Sequence, residues 1–483
     1  MKKGMLLWMT VLLMLCAACA SAEVLYASPG GMSLTEALAK AKDGDVIELD
    51  EGVYAEPDEA FPLTVTASIT IRAKDGVRPV VDAPAFQPAF RVEADGVTFC
   101  ALTVRMRRTG FYVTGSQFTL SGCDISLADP AWRTSSCGVW LGGVTGAKLT
   151  DCRFTDCGVC MAGPPLSETS HTVPVLTGLF EVGEETEYFT SHIIERCTVN
   201  GKQLFYAVGE DVAVAPAQAG EIIIADCKKA VVANADVSRC SMGMEIVYCQ
   251  DVRVTGCRAD DCGVFGIYLA KNAGGTVRDS SCTGTNHGID IRACENISVV
   301  DCRTQACDQG IFFSGVKNGL VKDCTVRQTG QGYFFAAGSH SQIDGCTAID
   351  CENGFNIQKE DDMLITGCTL TGSTICAVRL DGSPTIFAGN TLTDNWVGVM
   401  AYGGVPFVLT DNAITNSGSC GLYLRDIGQS RICANSITAS VRSSVEALGE
   451  LSDTRVTGNR WDKAPKWPVD AAILEEGNSV QVN

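Results

Sequence analysis

Three polar clusters in this chain have residue types that can do acid–base or cation chemistry on a sugar. Asp290 and Arg292 stand two residues apart, with His287 just before them. A β-elimination needs such a set: a base for the proton and a positive charge to neutralise a uronate. Asn356, Gln358 and Lys359 are followed one period later by Arg379 and Asp381, a second set of the same kind. Glu360, Asp361 and Asp362 are consecutive oxygen donors of the kind calcium takes. Each cluster also has a plainer reading. Arg292 can serve only to pair with Asp290, and the acidic triplet can be a solvated turn. His340, after Gly338 and Ser339, reads as a turn residue.

These residues are spaced by a repeat. Gly followed by apolar, variable, apolar recurs at Gly110, Gly138, Gly158, Gly243, Gly266, Gly288, Gly310, Gly332, Gly354, Ala377, Gly398 and Gly421, with later intervals of 21 to 23 residues. That period is too short for a helix pair and fits one turn of a β-solenoid, predicting an all-β, single-stranded right-handed parallel β-helix. Side chains alternate along a strand, so Ile267 and Leu269, Ile289 and Ile291, Phe355 and Ile357 point inward. The second residue after each glycine then points outward: Tyr112, Trp140, Cys160, Glu245, Tyr268, Asp290, Phe312, Phe334, Asn356, Arg379, Met400 and Tyr423. Six of these twelve are aromatic, against 7% of the whole chain, so the column is not an ordinary solvated face. The fourth position adds Arg292, Ser314, Gln358, Asp381, Tyr402 and Arg425.

Flat rings in a row suit stacking on sugar faces. The expected ligand is an extended polysaccharide held by Trp140, Glu245, Tyr268, His287, Phe312, Phe334, Asn356, Gln358, Tyr402, Tyr423 and Arg425, with Asp290, Arg292, Lys359, Arg379 and Asp381 as candidate catalytic groups. The competing reading is that a lateral loop covers the rings as a second core. Glycosidases place two carboxylates about 5 Å apart for retention or about 6.5 to 9.5 Å apart for inversion. By strand spacing Glu245 and Asp290 stand roughly 10 Å apart, and Asp290 and Asp381 roughly 19 Å. If the chain is an enzyme, lyase chemistry therefore fits better than hydrolysis.

The net charge of −19, or −21 once Lys2 and Lys3 are removed, argues against nucleic acid as a partner. Lys2 and Lys3, the apolar run Met5 to Leu15 and the small residues Ala20-Ser21-Ala22 read as a secretory signal over 1–22, so an extracytoplasmic location is expected. That run is too short for a mature transmembrane helix, and no later segment qualifies. Cys16 stands where a lipid-attachment box usually has Leu, which argues against an anchor at Cys19.

The chain has 25 cysteines and is too long to need stapling. Cys257, Cys302, Cys324, Cys346 and Cys368 fall at one place in the repeat, and Asn390, Asn412 and Asn435 continue the column; Cys262, Cys307 and Cys351 form another. These read as buried ladders. Oxidation between some neighbouring rungs remains open. Cys157 and Cys160 are a lone CxxC, and His171, His192, His287 and His340 do not fall at ligand spacing beside it.

Ser33 to Glu36 is a capping box before a short helix, expected to cover the first coil within an opening region 23–90. The β-helix proper is expected over 91–460, with lateral insertions near 163–190 and 200–220 and a tail, 461–483, folded over the last coil. Asn200 to Tyr206, then Pro216 and Ala219 to Cys227, resemble the segment preceding the repeats in NosD-like, or CASH-domain, proteins, as do the repeats from Gly243 to Asn435. Asp43 to Leu49 with Gly52-Val53-Tyr54 is similar to the start of pectate-lyase-like β-helices. The resemblance implies an exported parallel β-helix that binds or processes carbohydrate, with copper-site maturation of nitrous oxide reductase as a specialised role. An exported monomeric glycan-binding protein is the first expectation. A non-enzymatic accessory protein for a metal cofactor is the second, and a surface adhesin or scaffold the third. Clustered exposed Met, His or Cys would favour the second, and the sequence shows none outside the ladder positions.

Overall fold

The computed structural model describes residues 22–85, 87–165 and 185–480, so the expected signal segment lies outside them. Every repeat lays down short parallel strands that pair with the coil before and the coil after, and the coils stack as a right-handed parallel β-helix. In the long outer sheet, called here the face sheet, Ile267, Ile289 and Ile311 stack in register, as do Tyr268, Asp290 and Phe312. A thirteen-stranded and a ten-stranded sheet complete the coils. Among the described residues no helix is long and apolar enough to cross a membrane.

The repeat glycine is needed for contact between coils. A Cβ at Gly266 would stand 2.7 Å from the Gly288 carbonyl oxygen, and one at Gly288 equally close to that of Gly310. The inward Ile267, Leu269, Ile289 and Ile291 are wholly buried, as the alternation predicts.

The thiols are free among the described residues and nearly all buried. Burial pushes the Cys368 thiol up to about 12, away from reactive thiolate. Cys302 N–H reaches Cys324 Sγ at 3.4 Å, and Cys368 N–H reaches Asn390 Oδ1 at 2.8 Å. Asn390, Asn412, Asn435 and Asn459 then pass backbone and side-chain hydrogen bonds from rung to rung, down to Asn478. The ladder runs past the point where the repeat fades in sequence.

The tail does not fold over the end of the stack. Ile473–Glu476 pairs in parallel with Thr454–Thr457, and Ser479–Val480 with Arg460–Trp461, adding a further rung. Ser444 stands where the next repeat glycine would be, and its hydroxyl bonds to Asp462. At the other end Leu34–Lys40 is the capping helix. Ser33 Oγ accepts from Glu36 N–H at 3.1 Å, while the buried Glu59 carboxylate accepts from Leu34 and Thr35 N–H at 2.8 and 2.7 Å.

Asn412→Ala would strand the Asn390 N–H and the Phe387 carbonyl in the interior. The expected cost is about 2–4 kcal/mol, read as a fall in the urea unfolding midpoint; Cys346→Ala, which removes only a weak donor, should cost clearly less.

Candidate functional site

Outside the face sheet the expected column is divided by burial. Tyr112, Trp140, Glu245, Tyr268, Asp290 and Asn356 are buried, as are His287 and Arg292, whereas Phe312, Phe334, Arg379, Met400 and Tyr423 are half-buried. The solvent-facing expectation therefore fails for Tyr112, Trp140, Cys160, Glu245, Tyr268, Asp290, Arg292 and Asn356, and His287, expected to touch the ligand, is buried as well. The direction of each was right; what covers them was not legible. Trp140 packs against Tyr112 at 4.6 Å and folds over Gly142, whose missing side chain makes room for the ring. Phe189, in Glu187–Thr190, packs beside Tyr248 and takes the Tyr206 hydroxyl on its carbonyl. Most of the lateral segment expected at 163–190 lies outside the described residues. The segment expected near 200–220 forms the strands Lys202–Val208 and Ala213–Ala215.

His287, Asp290 and Arg292 do come together. The fully buried Asp290 accepts from Arg292 Nε and Nη2 at 2.8 and 2.9 Å, and its second oxygen lies 2.7 Å from His287 Nδ1. Burial raises the Asp290 pKa, but the Arg292 guanidinium and His287 outweigh it and hold the carboxyl below its ordinary value. Asp290 is thus held as an ionised carboxylate out of contact with solvent, which makes it a poor general base. Arg292 also lies over the Phe312 ring at 5.1 Å, which ends the exposed strip at this cluster.

From Phe312 to Arg425 the outer side chains form an accessible strip. The Phe312 and Phe334 rings stack with centroids 4.8 Å apart and planes 2° from parallel. Asn356 Nδ2 donates to Gln331 Oε1 at 2.8 Å, and Gln358 Nε2 to Asn356 Oδ1 at 3.1 Å. Arg379 pairs with Asp381 at 3.2 Å and lies over Tyr402, whose ring is 6.0 Å from that of Tyr423. Arg425 is exposed beside Asp426 at 3.4 Å. Lys359 sits past the strand end in a left-handed turn, so Lys359, Arg379 and Asp381 are not gathered about one point.

Apart from His287, the residues before the repeat glycines were not placed on the outer face from the sequence. Alternation is broken at the glycine, so the residue before it shares the outer face: His287 reaches Asp290, Gln331 reaches Asn356, and Cys376 and Cys420 pack with Val397, Met400 and Tyr423. The polar run His287, Gln309, Gln331 and Asn353 at one repeat position was the available signal.

The acidic triplet does not converge. Glu360 turns inward, its carboxylate accepting from Gly338 N–H at 2.7 Å and its N–H bonding to Ser383 Oγ. It belongs to a third interior ladder with Asn272 and Cys294, and burial raises its pKa. Asp361 is exposed and Asp362 lies 3.4 Å from His340.

A second pair of carboxylates lies at a seam unseen in sequence. The strand Val159–Ala162 closes one five-stranded sheet and, among the described residues, has no strand paired on its other side. Glu221 accepts from Val159 N–H at 3.0 Å and Glu245 from Met161 N–H at 3.1 Å, so side chains take the place of the next strand's carbonyls. Glu245 is therefore a structural acceptor here. Desolvation drives both carboxyls up, Glu221 to about 8, against the smaller lowering by these N–H groups.

Residues 296–463 match the family described as periplasmic copper-binding protein (NosD), and residues 90–291 match the right handed beta helix region. With the coil geometry, these two matches make the chain a NosD-like right-handed parallel β-helix. No curated protein matches. Among solved structures, a PL6 alginate lyase in complex with trisaccharide is similar at 13% identity and TM-score 0.28, over 95% of this chain and 86% of that one. The periplasmic alginate epimerase AlgG is similar at 11% identity and TM-score 0.28, over 90% and 85%. A GH87 alpha-1,3-glucanase from Streptomyces thermodiastaticus is similar at 10% identity and TM-score 0.32, over 96% and 69%. At these scores the likenesses say nothing of substrate.

The donors present do not fit a copper site. Cys376 and Cys420 face the strip two rungs apart, about 10 Å by strand spacing, with Val397 between them. His192 is buried, Nδ1 accepting from Ala147 N–H and Nε2 donating to the Tyr188 carbonyl. His287 is held by Asp290. Among the described residues no group of three His, Cys, Asp or Glu could share an ion; His171 lies outside them.

Two outcomes follow. Glu221 has a folded pKa above its unfolded one, so its contribution to stability is full below about pH 4.5 and is lost as pH climbs through about 8. Urea midpoints should fall across that interval, and less steeply in Glu221→Gln. Asp290→Ala leaves Arg292 buried without its carboxylate, which should cost about 3–5 kcal/mol in the same measurement at pH 7.

Proposed function

We propose that the protein is an extracytoplasmic glycan-binding β-helix that holds an extended polysaccharide along the strip from Phe312 to Arg425. The supporting observation is the pair of parallel, half-buried rings at Phe312 and Phe334. Continuing the line past the buried Asn356 are Gln358, Arg379, Tyr402 and Tyr423, which offer amide, guanidinium and phenol groups along the stack. Rungs repeat at about 4.8 Å, close to a sugar residue's length, so successive units of one chain would meet successive rungs.

Binding is favoured over turnover. Asp290 is buried against Arg292 and His287, and Asp381 is paired to Arg379 on its own strand. An accessory role toward a partner's metal cofactor rests on the family description alone, since among the described residues the donors do not converge. The leader segment and the family description both favour export.

The double variant Phe312→Ala/Phe334→Ala should elute roughly tenfold weaker from immobilised polysaccharide, a loss of about 1.4 kcal/mol, with an unchanged melting temperature. Ultraviolet absorbance of the same mixtures reports any unsaturated uronate. Unchanged retention, or collapse of the variant's fold, removes the strip as the binding surface.

A further inference from the structure

Next to the strip, in the turn that leads into Val399–Tyr402, Trp396 is 49% exposed. Its indole lies against Gly418, where a Cβ would stand 2.8 Å from ring carbon Cε3. The ring is thus seated on the backbone of the following coil, a position that any larger residue at 418 would deny it. Around it opens a recess of about 490 Å³ whose walls include Thr374, Asp394 and Asn416.

The floor of the recess is rigid. Asn395 accepts from Ser373 N–H at 2.9 Å and donates to the Leu370 carbonyl at 2.9 Å, so the residue beside Trp396 is pinned in the interior ladder. Asn416 Nδ2 donates to Asp394 Oδ1, fixing an acceptor and an amide side by side at the rim. Asp394 and Asn416 occupy left-handed turn positions, with φ of 57° and 58°, which accounts for their types. That geometry does not account for an exposed tryptophan. The residue after it, Val397, packs on the strip with Met400 and Tyr423, so recess and strip are neighbours.

The structure assigns this recess as a second sugar subsite, in which a neutral pyranose stacks on Trp396 and its hydroxyls bond to Asp394, Asn416 and Thr374. The assignment rests on the glycan-binding reading above and narrows its substrate class. Among the described residues lining the recess, Asp394 alone is charged and no cation is present. A uronate here would face a carboxylate with nothing to neutralise it, whereas a neutral hydroxyl would find a charged acceptor. The aromatic face supplies apolar area to the sugar's C–H side, and the carboxylate and amide fix its orientation.

The test uses the full chain on immobilised neutral glycans (glucan, mannan, galactan and xylan) and on polyuronates. It adds acrylamide quenching of tryptophan fluorescence, in which Trp396 is the most exposed tryptophan among the described residues, so the signal is read against Trp396→Ala. A neutral glycan should bind and shield the fluorescence. Trp396→Ala should bind it about five- to tenfold more weakly at an unchanged melting temperature, with Trp396→Phe restoring most of the loss, and Asp394→Asn should weaken it less. Wild-type binding by Trp396→Ala, shielding by polyuronates alone, or no retention on any neutral glycan would each overturn the assignment. The two readings fail separately. If Phe312→Ala/Phe334→Ala weakens binding and Trp396→Ala does not, the recess is wrong and the strip stands; the opposite pattern leaves the recess and removes the strip.

Discussion

At most repeat glycines one coil lies so close to the next that an added Cβ would meet the next coil's carbonyl. A Cβ at Gly266 would stand 2.7 Å from the next coil's carbonyl, and the same approach recurs at Gly288. This contact sets the register in which Ile267, Ile289 and Ile311 stack inside while Tyr268, Asp290 and Phe312 stack outside. Because each coil rests only on its neighbours, local errors would accumulate along the axis. The interior ladders oppose that. Asn390, Asn412, Asn435 and Asn459 tie each rung to the next with directional bonds, where thiols elsewhere in the column supply mainly packing.

The same outer surface serves two ends along its length. Near the seam it is a second core: Trp140 on Tyr112, carboxylates of Glu221 and Glu245 closing the edge of Val159–Ala162, and a buried ion cluster about Asp290. Beyond Arg292 the surface opens, and the rings that would be core earlier in the stack become available. Burial decides the chemistry of each part. Asp290 is held ionised by its partners out of contact with water, and desolvation raises the pKa of the buried Glu221, whereas Asp381, Asp394 and Arg425 remain in contact with solvent.

Much of the site was legible as direction and little of it as environment. Alternation correctly placed Ile289 and Ile291 inside and Phe312 and Phe334 outside, because strand geometry is local. It said nothing of the residue before the glycine, where the backbone departs from alternation and brings Gln331 and Cys376, like His287, onto the outer face. Glu360 looked like a calcium donor beside Asp361 and Asp362, yet its position in the coil is an interior rung, and a neighbour in sequence can belong to the opposite side of the wall. The end of the stack was read too early because Ser444 replaces a repeat glycine, although Asn459 and Asn478 carried the ladder onward.

Period and residue type alone specified a solenoid, the handing-on of cysteine to asparagine in its ladders, and the line of side chains that leave the core. These follow from short-range rules: strand alternation, the room a glycine makes, and the identical environment of every rung. Which of those outward side chains meet water was settled by segments far away in the chain, such as Glu221 reaching Val159 or Phe189 packing beside Tyr248. Solvent exposure is a property of everything that surrounds a group, and a repeat of about 22 residues records only what the group's own coil does.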